Sequence, residues 1–526
     1  MKNILLNGYE RYFVNFARNL KRHGFDIKYW CARHALYDEY GDEFGKTIFH
    51  DHYEMIKGHR AKLFNKDLIP PICPTITKNL LFDEKIAFSM FERNATHCKN
   101  FSYKERYELI NRMIEYWTYV CKREDIQCVI FSEEPHQVGD YLLYAVCREL
   151  NIKTLIFIRT VFPALIFPVN SFEEGSVDIA RSYASLLKSS QKTRQCPSKA
   201  VQAYLNTLRG DYEGVIAVHL HDQIAEIKKM GFSKTSAIQD KTKESAVLGK
   251  LPFFKWKDWI LRGKYIFDFS GKSFHSDQKQ LLRSFHNSNL TYIEHLFLKY
   301  KSTVDKKRML KFYNKISHVP ELKEPYIFFA LQYEPEKTTC PLGGVYSDQF
   351  LAIRTLHSYL PKGWRILVKE HPSQFSKLFA RYGENYRRKS FYRNIQALSN
   401  VELVSMSINP FILIDHANAV ASVTANTCWE AVVRGKPAIT FGHPWFKGCA
   451  GVFPAYTHAL LAFAISEISK GFEVKKSDVN LFSYVVETTA TRGGIGGGSW
   501  TNFTGVSDDE NGLAHFETAI KFIESH

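Results

Sequence analysis

The sequence predicts an α/β protein with two Rossmann-like domains and a helical insertion between them. Near the N-terminus, a strand at residues 3–6 is followed by an amphipathic helix at 12–23 and a second strand at 26–30. The same alternation recurs at residues 128–158 and returns from residue 326 onward. Alternating strands and helices favour parallel sheets with helices on both faces, which is the basis of this prediction.

The segment at residues 181–325 differs from its flanks, because it is rich in lysine and aromatic residues and lacks strong strand signals. A helical stretch at 277–300, followed by Pro320 and Pro325, predicts an insertion that ends in a linker. The predicted units are an N-terminal Rossmann-like domain, a helical insertion with linker, a C-terminal Rossmann-like domain and a closing helix, at residues 1–180, 181–325, 326–500 and 501–526.

Composition and charge are those of a globular protein with anionic partners. The 526 residues are 45% apolar and 24% charged, which leaves room for more than one domain. A net charge of +16 suggests nucleotides, acidic sugars, phospholipid surfaces or nucleic acid as partners. The ten cysteines are scattered without a C-x-x-C pair, so reduced, cytosolic thiols are the simpler interpretation.

We interpret the N-terminal residues 1–7 as a first strand rather than a signal peptide, because they lack the apolar region and cleavage site that a signal peptide has. No apolar run approaches the length of a membrane span, so we expect any membrane association to be peripheral. We also expect no metal site, because the chain has no Asp-x-Asp motif and no histidines at zinc spacing.

Two motifs in the C-terminal part follow predicted strands. The strand at 365–369 ends on Glu370-His371-Pro372, and the run at 417–424 leads into a hydroxyl-rich turn and a short helix that stops at Gly435. The helix N-terminus would favour a phosphate, and His371 would add a hydrogen-bond donor. The side chains around that N-terminus are Ser422, Thr424, Asn426 and Thr427. A nucleotide-sugar is the natural ligand for such a site.

These motifs resemble the capsule polysaccharide biosynthesis family, which includes bacterial Kdo transferases. The resemblance is dense from residue 326 to 453 and sparse before it, where only Pro135-His136, Asp140 and Arg159 look familiar. The blocks that carry it are Glu370-His371-Pro372, the run from Ser422 to Ala431, Gly435-Lys436-Pro437, residues 331–339 with 341–344, and residues 441–446 with 448–452. The resemblance implies a GT-B fold, in which two Rossmann-like domains face a cleft, and a CMP-activated ulosonic acid as the donor.

The nucleotide-sugar is assigned to the C-terminal domain. Arg159 is either a clamp on the sugar carboxylate or a surface charge, and Gln332 and Glu334 either line the cleft or close a turn with Pro335. In GT-B enzymes a glutamate one turn into the phosphate helix holds the ribose hydroxyls, which assigns that role to Glu430. The predicted nucleotide-binding residues are Lys369, His371, Pro372, Ser422, Thr424, Asn426, Thr427 and Glu430.

Catalysis is assigned to the N-terminal domain, together with the acceptor site. Glu133, Glu134, His136 and Asp140 follow the strand at 128–131, where open α/β sheets place ligands. A helix starting at His136 would put His136 and Asp140 on one face, as a base and its orienter. Either glutamate is an alternative base or nucleophile. The competing interpretations are a helix cap or surface pair for His136 and Asp140, and first-turn acids for the glutamates.

The predicted function is a metal-independent, cofactor-independent glycosyltransferase. It would move a Kdo-like or sialic-acid-like ulosonic acid from a CMP-sugar onto a growing surface polysaccharide such as capsule or O-antigen. Two alternatives share the fold, a UDP- or GDP-sugar transferase and a UDP-sugar 2-epimerase. A basic nucleic-acid-binding protein is the alternative from another class, but the charge is diffuse and no nucleic-acid-binding motif appears.

The predicted partners are the CMP-sugar donor and a glycan or lipid-linked glycan acceptor. Residues 252–267 combine basic and aromatic side chains, a composition suited to anionic lipid. The alternative is a helix packed on the core with its lysines in solvent. The expected location is therefore cytoplasmic, with peripheral contact to the inner face of the cytoplasmic membrane.

Overall fold

The structure, a computed structural model, describes residues 2–91, 102–162, 164–189, 195–210, 292–375, 386–496 and 505–525, with the backbone alone for 292–299. The stretch at 252–267 lies outside the described residues, as does most of the helix predicted at 277–300. In the described ranges, no helix has both the length and the apolar character needed to cross a bilayer.

The N-terminal domain is built on a largely parallel sheet. Its strands are β1 (Asn3–Asn7), β2 (Asp26–Ala32), β3 (Ile48–Asp51), β4 (Cys128–Phe131), β5 (Lys153–Arg159) and β6 (Leu165–Val169). They lie in the order β6-β5-β4-β1-β2-β3, and β6 runs antiparallel to β5. The first strand β1 lies between β2 and β4, so the direction of the crossovers reverses at that point.

Helices pack on both faces of this sheet, and successive strand residues belong alternately to two apolar clusters. Leu5 and Val129 belong to one apolar cluster, whereas Ile4 and Ile130 belong to a cluster on the opposite face. The helices are α1 (Tyr12–Arg22), α2 (His34–Phe44), α3 (His52–Ile56), α4 (Pro74–Asn79), α5 (Leu81–Met90), α6 (Tyr103–Arg123), α7 (Val138–Glu149), α8 (Val177–Lys188) and α9 (Lys199–Arg209), with a 3-10 turn at Lys62–Phe64.

The C-terminal domain has a second sheet, which begins after the linker helix α10 (Tyr292–Ile316). Its strands are β7 (Tyr326–Ala330), β8 (Arg365–Lys369), β9 (Val401–Val404), β10 (Ala419–Ser422), β11 (Ala438–Thr440) and β12 (Val452–Pro454). All described pairings are parallel, in the order β12-β11-β10-β7-β8-β9. The crossovers therefore reverse between β7 and β10, in the same way as between β1 and β4.

The helices of the C-terminal half complete this domain and then return to the first one. They are α11 (Gln349–His357), α12 (Lys389–Gln396), α13 (Pro410–His416), α14 (Asn426–Val433), α15 (His458–Ser469), α16 (Lys476–Thr489) and α17 (Asp508–Ser525), with 3-10 turns at Gly344–Ser347 and Pro372–Phe375. A short strand β13 (Thr491–Arg492) pairs with β6, and α17 packs on α1. The chain thus ends against the N-terminal domain.

The two domains also share apolar contacts. Phe162 of the N-terminal domain packs edge-on against Trp429 and Trp445 of the C-terminal domain, at centroid distances of 5.9 and 5.5 Å. Tyr183 on α8 packs edge-on against Phe482 on α16. The predicted architecture of two Rossmann-like domains facing a cleft, the GT-B type, is confirmed.

Candidate functional site

The carboxyl ends of both sheets carry the candidate site. Open parallel sheets bind ligands outside these ends, at the position where the crossover direction reverses. In the N-terminal domain, Tyr9 follows β1 and Glu133 follows β4 on either side of that position. In the C-terminal domain, Lys337 follows β7 and Thr424 follows β10. The two reversal positions face each other, because Lys337 contacts Glu133 directly.

A charged cluster joins the domains at this point. The Lys337 ammonium lies 2.9 Å from a carboxylate oxygen of Glu133 and 2.9 Å from one of Glu134. The other oxygen of Glu133 accepts a hydrogen bond of 2.5 Å from the Tyr9 hydroxyl. Only 9% of the Glu134 side chain and 21% of that of Lys337 are exposed, so water screens these charges weakly.

The ionised forms dominate in this cluster, although burial opposes them. Burial alone would raise the pKa of Glu133, but Lys337, His136 and the Tyr9 hydrogen bond hold it well below its ordinary value. Burial would likewise lower the pKa of Lys337, but the carboxylates of Glu134 and Glu133 raise it. Glu133 therefore carries a full negative charge at neutral pH in this state.

Arg159, at the end of β5, interacts with the same carboxylates. Burial lowers the pKa of its guanidinium, and the carboxylates of Glu134, Glu133 and Glu336 oppose that shift. The guanidinium is therefore close enough to these carboxylates to interact with them, and the residue is half-buried. Its assignment as a clamp on the sugar carboxylate stays a prediction.

The relationship predicted between His136 and Asp140 is corrected by the structure. Helix α7 begins at Val138, so His136 precedes it and the two residues do not share a helix face. The Nδ1 atom of His136 is 2.9 Å from the Glu134 carbonyl oxygen. Asp140 is buried at the third helical position, where its carboxylate accepts a 2.7 Å hydrogen bond from the Gln137 amide in a capping box. The sequence pattern fitted a cap as well as a catalytic pair, and here Asp140 caps the helix.

Two aromatic residues that the sequence did not single out complete the N-terminal side. The His52 ring stacks on the Tyr9 ring at a centroid distance of 4.2 Å. Burial, together with His136 and Arg33, lowers the pKa of His52 to about 3, so its imidazole is neutral. Neither residue belongs to a recognisable motif, because β1 and β3 bring them together only through the sheet.

On the C-terminal side, the hydroxyl-rich turn is fixed by Gln332. The Gln332 side-chain oxygen accepts a 2.8 Å hydrogen bond from the Thr424 amide, and its nitrogen lies 3.2 Å from the Thr424 hydroxyl. The hydroxyl of Ser422 donates to the Ala330 carbonyl at 2.9 Å, and Ser422 is fully buried. Gln332 and Ser422 therefore shape the turn from behind.

The turn leads into the N-terminus of α14, where Ala425 is the residue before the first helical turn. Asn426 is exposed and Thr427 is half-buried, so both are accessible at the helix end. The first amides of a helix have no partner within the helix, and they can bind an anion. Glu430 lies one turn further on. Burial raises the pKa of Tyr204 on α9, and the nearby carboxylate of Glu430 adds to that shift.

The loops after β7 and β8 are tied together by Arg387, which sequence reasoning did not select. Its guanidinium contacts the carboxylates of Glu370 and Glu334, and all three side chains are at most 5% exposed. Tyr392 adds a 2.7 Å hydrogen bond to Glu370. Glu334 thus has a buried ionic partner, which joins the loop after β7 to the loop after β8.

Lys369, His371 and Pro372 lie at the end of β8, directly after this buried anchor. Lys369 is buried, whereas His371 and Pro372 are half-buried. The Nδ1 atom of His371 accepts from the Ser373 amide at 3.2 Å, and the His371 amide donates to Glu370 at 2.7 Å. Because Nδ1 accepts, the proton of a neutral ring is on Nε2.

Within the described ranges, no group of three or more His, Cys, Asp or Glu side chains is arranged to hold a metal ion. Positive groups at the site include Lys337, Arg159 and the N-terminus of α14. These can bind or neutralise a phosphate.

Comparison with known proteins shows a similarity that lies mainly in the C-terminal part of the chain. Residues 280–453, about a third of the chain, match the family of the capsule polysaccharide biosynthesis protein. The capsule polysaccharide modification protein LipA of Neisseria meningitidis serogroup B (strain ATCC BAA-335 / MC58) is 26% identical over 145 residues. That alignment covers 26% of this chain and 19% of LipA, so the chain spans about a fifth of that relative. The resemblance predicted from the sequence motifs is confirmed.

Similar solved structures include glycosyltransferases and an epimerase. The β-Kdo 2,7 transferase of Thermosulfurimonas dismutans KpsC is 16% identical, with 39% of this chain and 60% of that chain covered and a TM-score of 0.23. The UDP-GlcNAc 2-epimerase of Methanocaldococcus jannaschii is 10% identical, with 93% and 98% covered and a TM-score of 0.23. At these TM-scores the similarity supports no inference about activity, and the fold assignment depends on the strand orders described above.

Proposed function

We propose that this chain, whose residues 280–453 belong to the capsule polysaccharide biosynthesis family, is a glycosyltransferase that uses a CMP-activated ulosonic acid. The sugar, Kdo-like or sialic-acid-like, is transferred to a growing surface polysaccharide. One observation supports this proposal above the others. A helix end suited to phosphate and a buried pair of carboxylates, Glu133 and Glu134, belong to opposite domains and are linked by Lys337.

The C-terminal domain binds the nucleotide in this proposal. The amides of Asn426 and Thr427 and the Nε2 atom of His371 donate to the phosphate, and Glu430 accepts from the ribose hydroxyls. Ser422, Thr424 and Gln332 act by holding the turn in shape, which the hydrogen bonds around Gln332 support. Arg159 pairs with the carboxylate that distinguishes an ulosonic acid from a neutral sugar.

The N-terminal domain performs the chemistry. Transfer requires either a base that removes the acceptor proton or a carboxylate that attacks the donor carbon. Glu133 and Glu134 meet this requirement better than His136 with Asp140, because they lie at the interface and Asp140 is engaged in a helix cap. The helix N-terminus and the nearby cations stabilise the negative charge that develops on the leaving phosphate.

The acceptor is a glycan or lipid-linked glycan that enters from the N-terminal side, and the protein acts in the cytoplasm at the inner face of the membrane. No cofactor or metal is required in this mechanism. The overall charge of +16 supports contact with acidic glycans, anionic lipid and nucleotide sugars.

A donor panel tests the proposal. The protein is incubated with CMP-Kdo, CMP-sialic acid, UDP-GlcNAc and a GDP-sugar, and release of each nucleotide is measured with and without a capsule oligosaccharide. We expect nucleotide release from a CMP-sugar only, stimulated by acceptor and retained in the presence of EDTA. Epimerisation or hydrolysis of UDP-GlcNAc alone would overturn the donor assignment. The Glu39→Gln variant, which changes an exposed ion pair, is a control for general effects of charge removal.

A further inference from the structure

The single positive charge of Lys337 is shared by two carboxylates, Glu133 and Glu134. Its ammonium is equidistant, at 2.9 Å, from Glu133 and Glu134, both of which come from the opposite domain. Tyr9 donates to the remaining oxygen of Glu133, and Arg159 provides further positive charge nearby. The ammonium is therefore the direct ionic link between the two candidate catalytic carboxylates and the C-terminal domain.

The loop that carries Lys337 is bonded to the phosphate turn. The hydroxyl of Thr424 donates to the carbonyl of Thr338, the residue that follows Lys337. Gln332, at the start of the same loop, holds the Thr424 amide at 2.8 Å. Lys337 thus lies between the turn that would hold a phosphate and the carboxylates that would act on the sugar.

Two kinds of anion compete for this cation. In the part of the chain that the structure describes, the ammonium contacts the carboxylates of Glu133 and Glu134 and offsets the repulsion between their like charges. A phosphate at the N-terminus of α14 would introduce a second, more highly charged anion beside the turn that is bonded to the Lys337 loop. A flexible lysine side chain with three donors can move between such partners.

We propose, on the basis of the proposed function, that Lys337 is a positioning residue that exchanges partners during the reaction. In the donor-free protein it binds Glu133 and Glu134 and holds the domains together. When the donor phosphate binds at the turn, the ammonium moves to the phosphate. Both carboxylates then lose this counter-ion and become more basic at the moment when the sugar is in place.

Partner exchange predicts a coupling between the carboxylates and nucleotide affinity, which we would measure by calorimetric titration with CMP. Glu134→Gln releases Lys337 from one partner, so CMP should bind about three- to tenfold more tightly. Lys337→Gln removes the cation from the phosphate, so CMP should bind about tenfold more weakly. In the double variant the gain from Glu134→Gln should disappear, because no ammonium is left to be released.

Lys447→Gln is the matched control. Lys447 also bridges the domains, through a hydrogen bond from its ammonium to the Glu173 carbonyl, but it contacts neither Glu133 nor Glu134 in that bond. Loss of a domain contact in general would therefore affect both lysine variants alike. We expect CMP affinity close to wild type for Lys447→Gln, with thermal unfolding recorded for every variant to confirm that it is folded.

A second readout is the pH dependence of turnover. The titratable groups close to Glu133 include Lys337, Glu134, His136, Tyr9, Tyr12, Glu10, Arg159 and His52. Without Lys337, the adjacent carboxylates share a buried site with less positive charge, so the acidic limb of the profile should move up by about one pH unit or more. Lys447→Gln should leave that limb in place.

The outcomes separate the two proposals. If the wild type and Glu134→Gln bind CMP with equal affinity, partner exchange is overturned and the transferase assignment stays intact. The same holds if the gain in CMP affinity persists in the double variant. Absence of CMP binding by the wild type would overturn the donor assignment and the exchange together. An unchanged acidic limb in Lys337→Gln would also overturn the exchange.

Discussion

The guanidinium of Arg387 donates to the carboxylate of Glu370, with 2.5 Å between Nε and Oε2, where 2% and 0% of the two side chains are exposed. Glu334 is the second carboxylate on the same guanidinium. Burial alone would lower the pKa of Arg387, but Glu370 and Glu334 raise it, so the cation is permanent. This contact fixes the strand end that carries His371.

Arg387→Met should therefore destabilise the protein strongly. Removing one partner of a buried ion pair typically costs about 3–5 kcal/mol, because the remaining charges are left without compensation. We expect a loss of this size in the free energy of urea unfolding, with weaker CMP binding as a consequence. Arg393→Met, at an exposed position on α12, is the control and should cost well under 1 kcal/mol. Equal effects of the two changes would contradict the role given to Arg387.

His371→Ala should separate nucleotide binding from stability. The ring is half-buried, and its Nε2 donor is assigned to the phosphate, so the loss is about 1–3 kcal/mol of binding free energy. CMP affinity should fall about tenfold to a hundredfold while the melting temperature barely changes. His416→Ala, an exposed histidine at the end of α13, should leave CMP affinity unaltered. Wild-type affinity in His371→Ala would exclude this histidine from the phosphate site.

The catalytic assignment is tested by comparing the glutamates with the helix cap. Glu133→Gln and Glu134→Gln should bind CMP at least as well as wild type, and the variant that removes the base or nucleophile should lose about 10²–10⁴ in turnover. Asp140→Asn weakens a helix cap, so about 1 kcal/mol of stability should be lost with little effect on the bound nucleotide. Turnover losses of 10² or more in Asp140→Asn and His136→Ala, with normal rates in both glutamine variants, would restore the histidine and aspartate as the catalytic pair.

Covalent trapping distinguishes the two routes open to the glutamates. A retaining mechanism forms a sugar ester on one carboxylate, whereas an inverting mechanism with a base does not. Intact-protein mass spectrometry after incubation with a slow fluorinated donor would show an increase by the mass of the sugar only in the first case. Glu133→Gln or Glu134→Gln should abolish that increase if it occurs on the respective residue.

Buried histidines should make the protein less stable in mild acid. Burial, as the largest cause, lowers the pKa of His50 and His52 to about 3 and that of His515 to about 4. The unfolded chain takes up a proton at each of these residues below about pH 6.5, whereas the folded chain does not. Unfolding is therefore favoured as pH falls through the window from about 6.5 to 4, by up to about 2 kcal/mol per histidine between pH 7 and 5.

Urea unfolding at pH 7 and pH 5 measures this effect. The Nδ1 atom of His515 lies 2.8 Å from the Asn511 carbonyl oxygen. The His515→Gln variant should show a smaller difference in unfolding free energy between pH 7 and pH 5, by about the contribution of one histidine. His416→Gln, at an exposed position, should leave the difference unchanged. A pH difference that is identical in all three proteins would show that other groups cause it.

Membrane contact remains a prediction from the sequence at residues 252–267. Each Lys or Arg near an anionic surface contributes about 1 kcal/mol, and salt screens the attraction. We expect the protein to sediment with anionic but not neutral liposomes, and less so as salt is added. Changing Lys255, Lys257, Arg262 and Lys264 to Gln should abolish the difference between the lipids. Equal sedimentation of both proteins would leave this stretch as an ordinary packed helix.

Much of the fold could be predicted from local patterns. The strands at Cys128–Phe131 and Arg365–Lys369 are where apolar runs predicted them, because buried parallel strands have a continuous apolar sequence. The start of α7 was missed by two residues, since Pro135 suited a first turn that the chain reaches only at Val138. That difference separated His136 from Asp140 and changed the interpretation of both.

The sequence alone determined the alternation of strands and helices, the turn from Ser422 to Thr427 and its family resemblance, because each depends on residues close together in the chain. Only the tertiary structure decided which side chains meet at the interface. Lys337 and Glu134 are separated by 203 residues, and Arg387 lies 53 residues from Glu334. No local pattern specifies such pairs. The first forms only when the two domains meet across the cleft, and the second only when β7 and β8 pair within the C-terminal sheet.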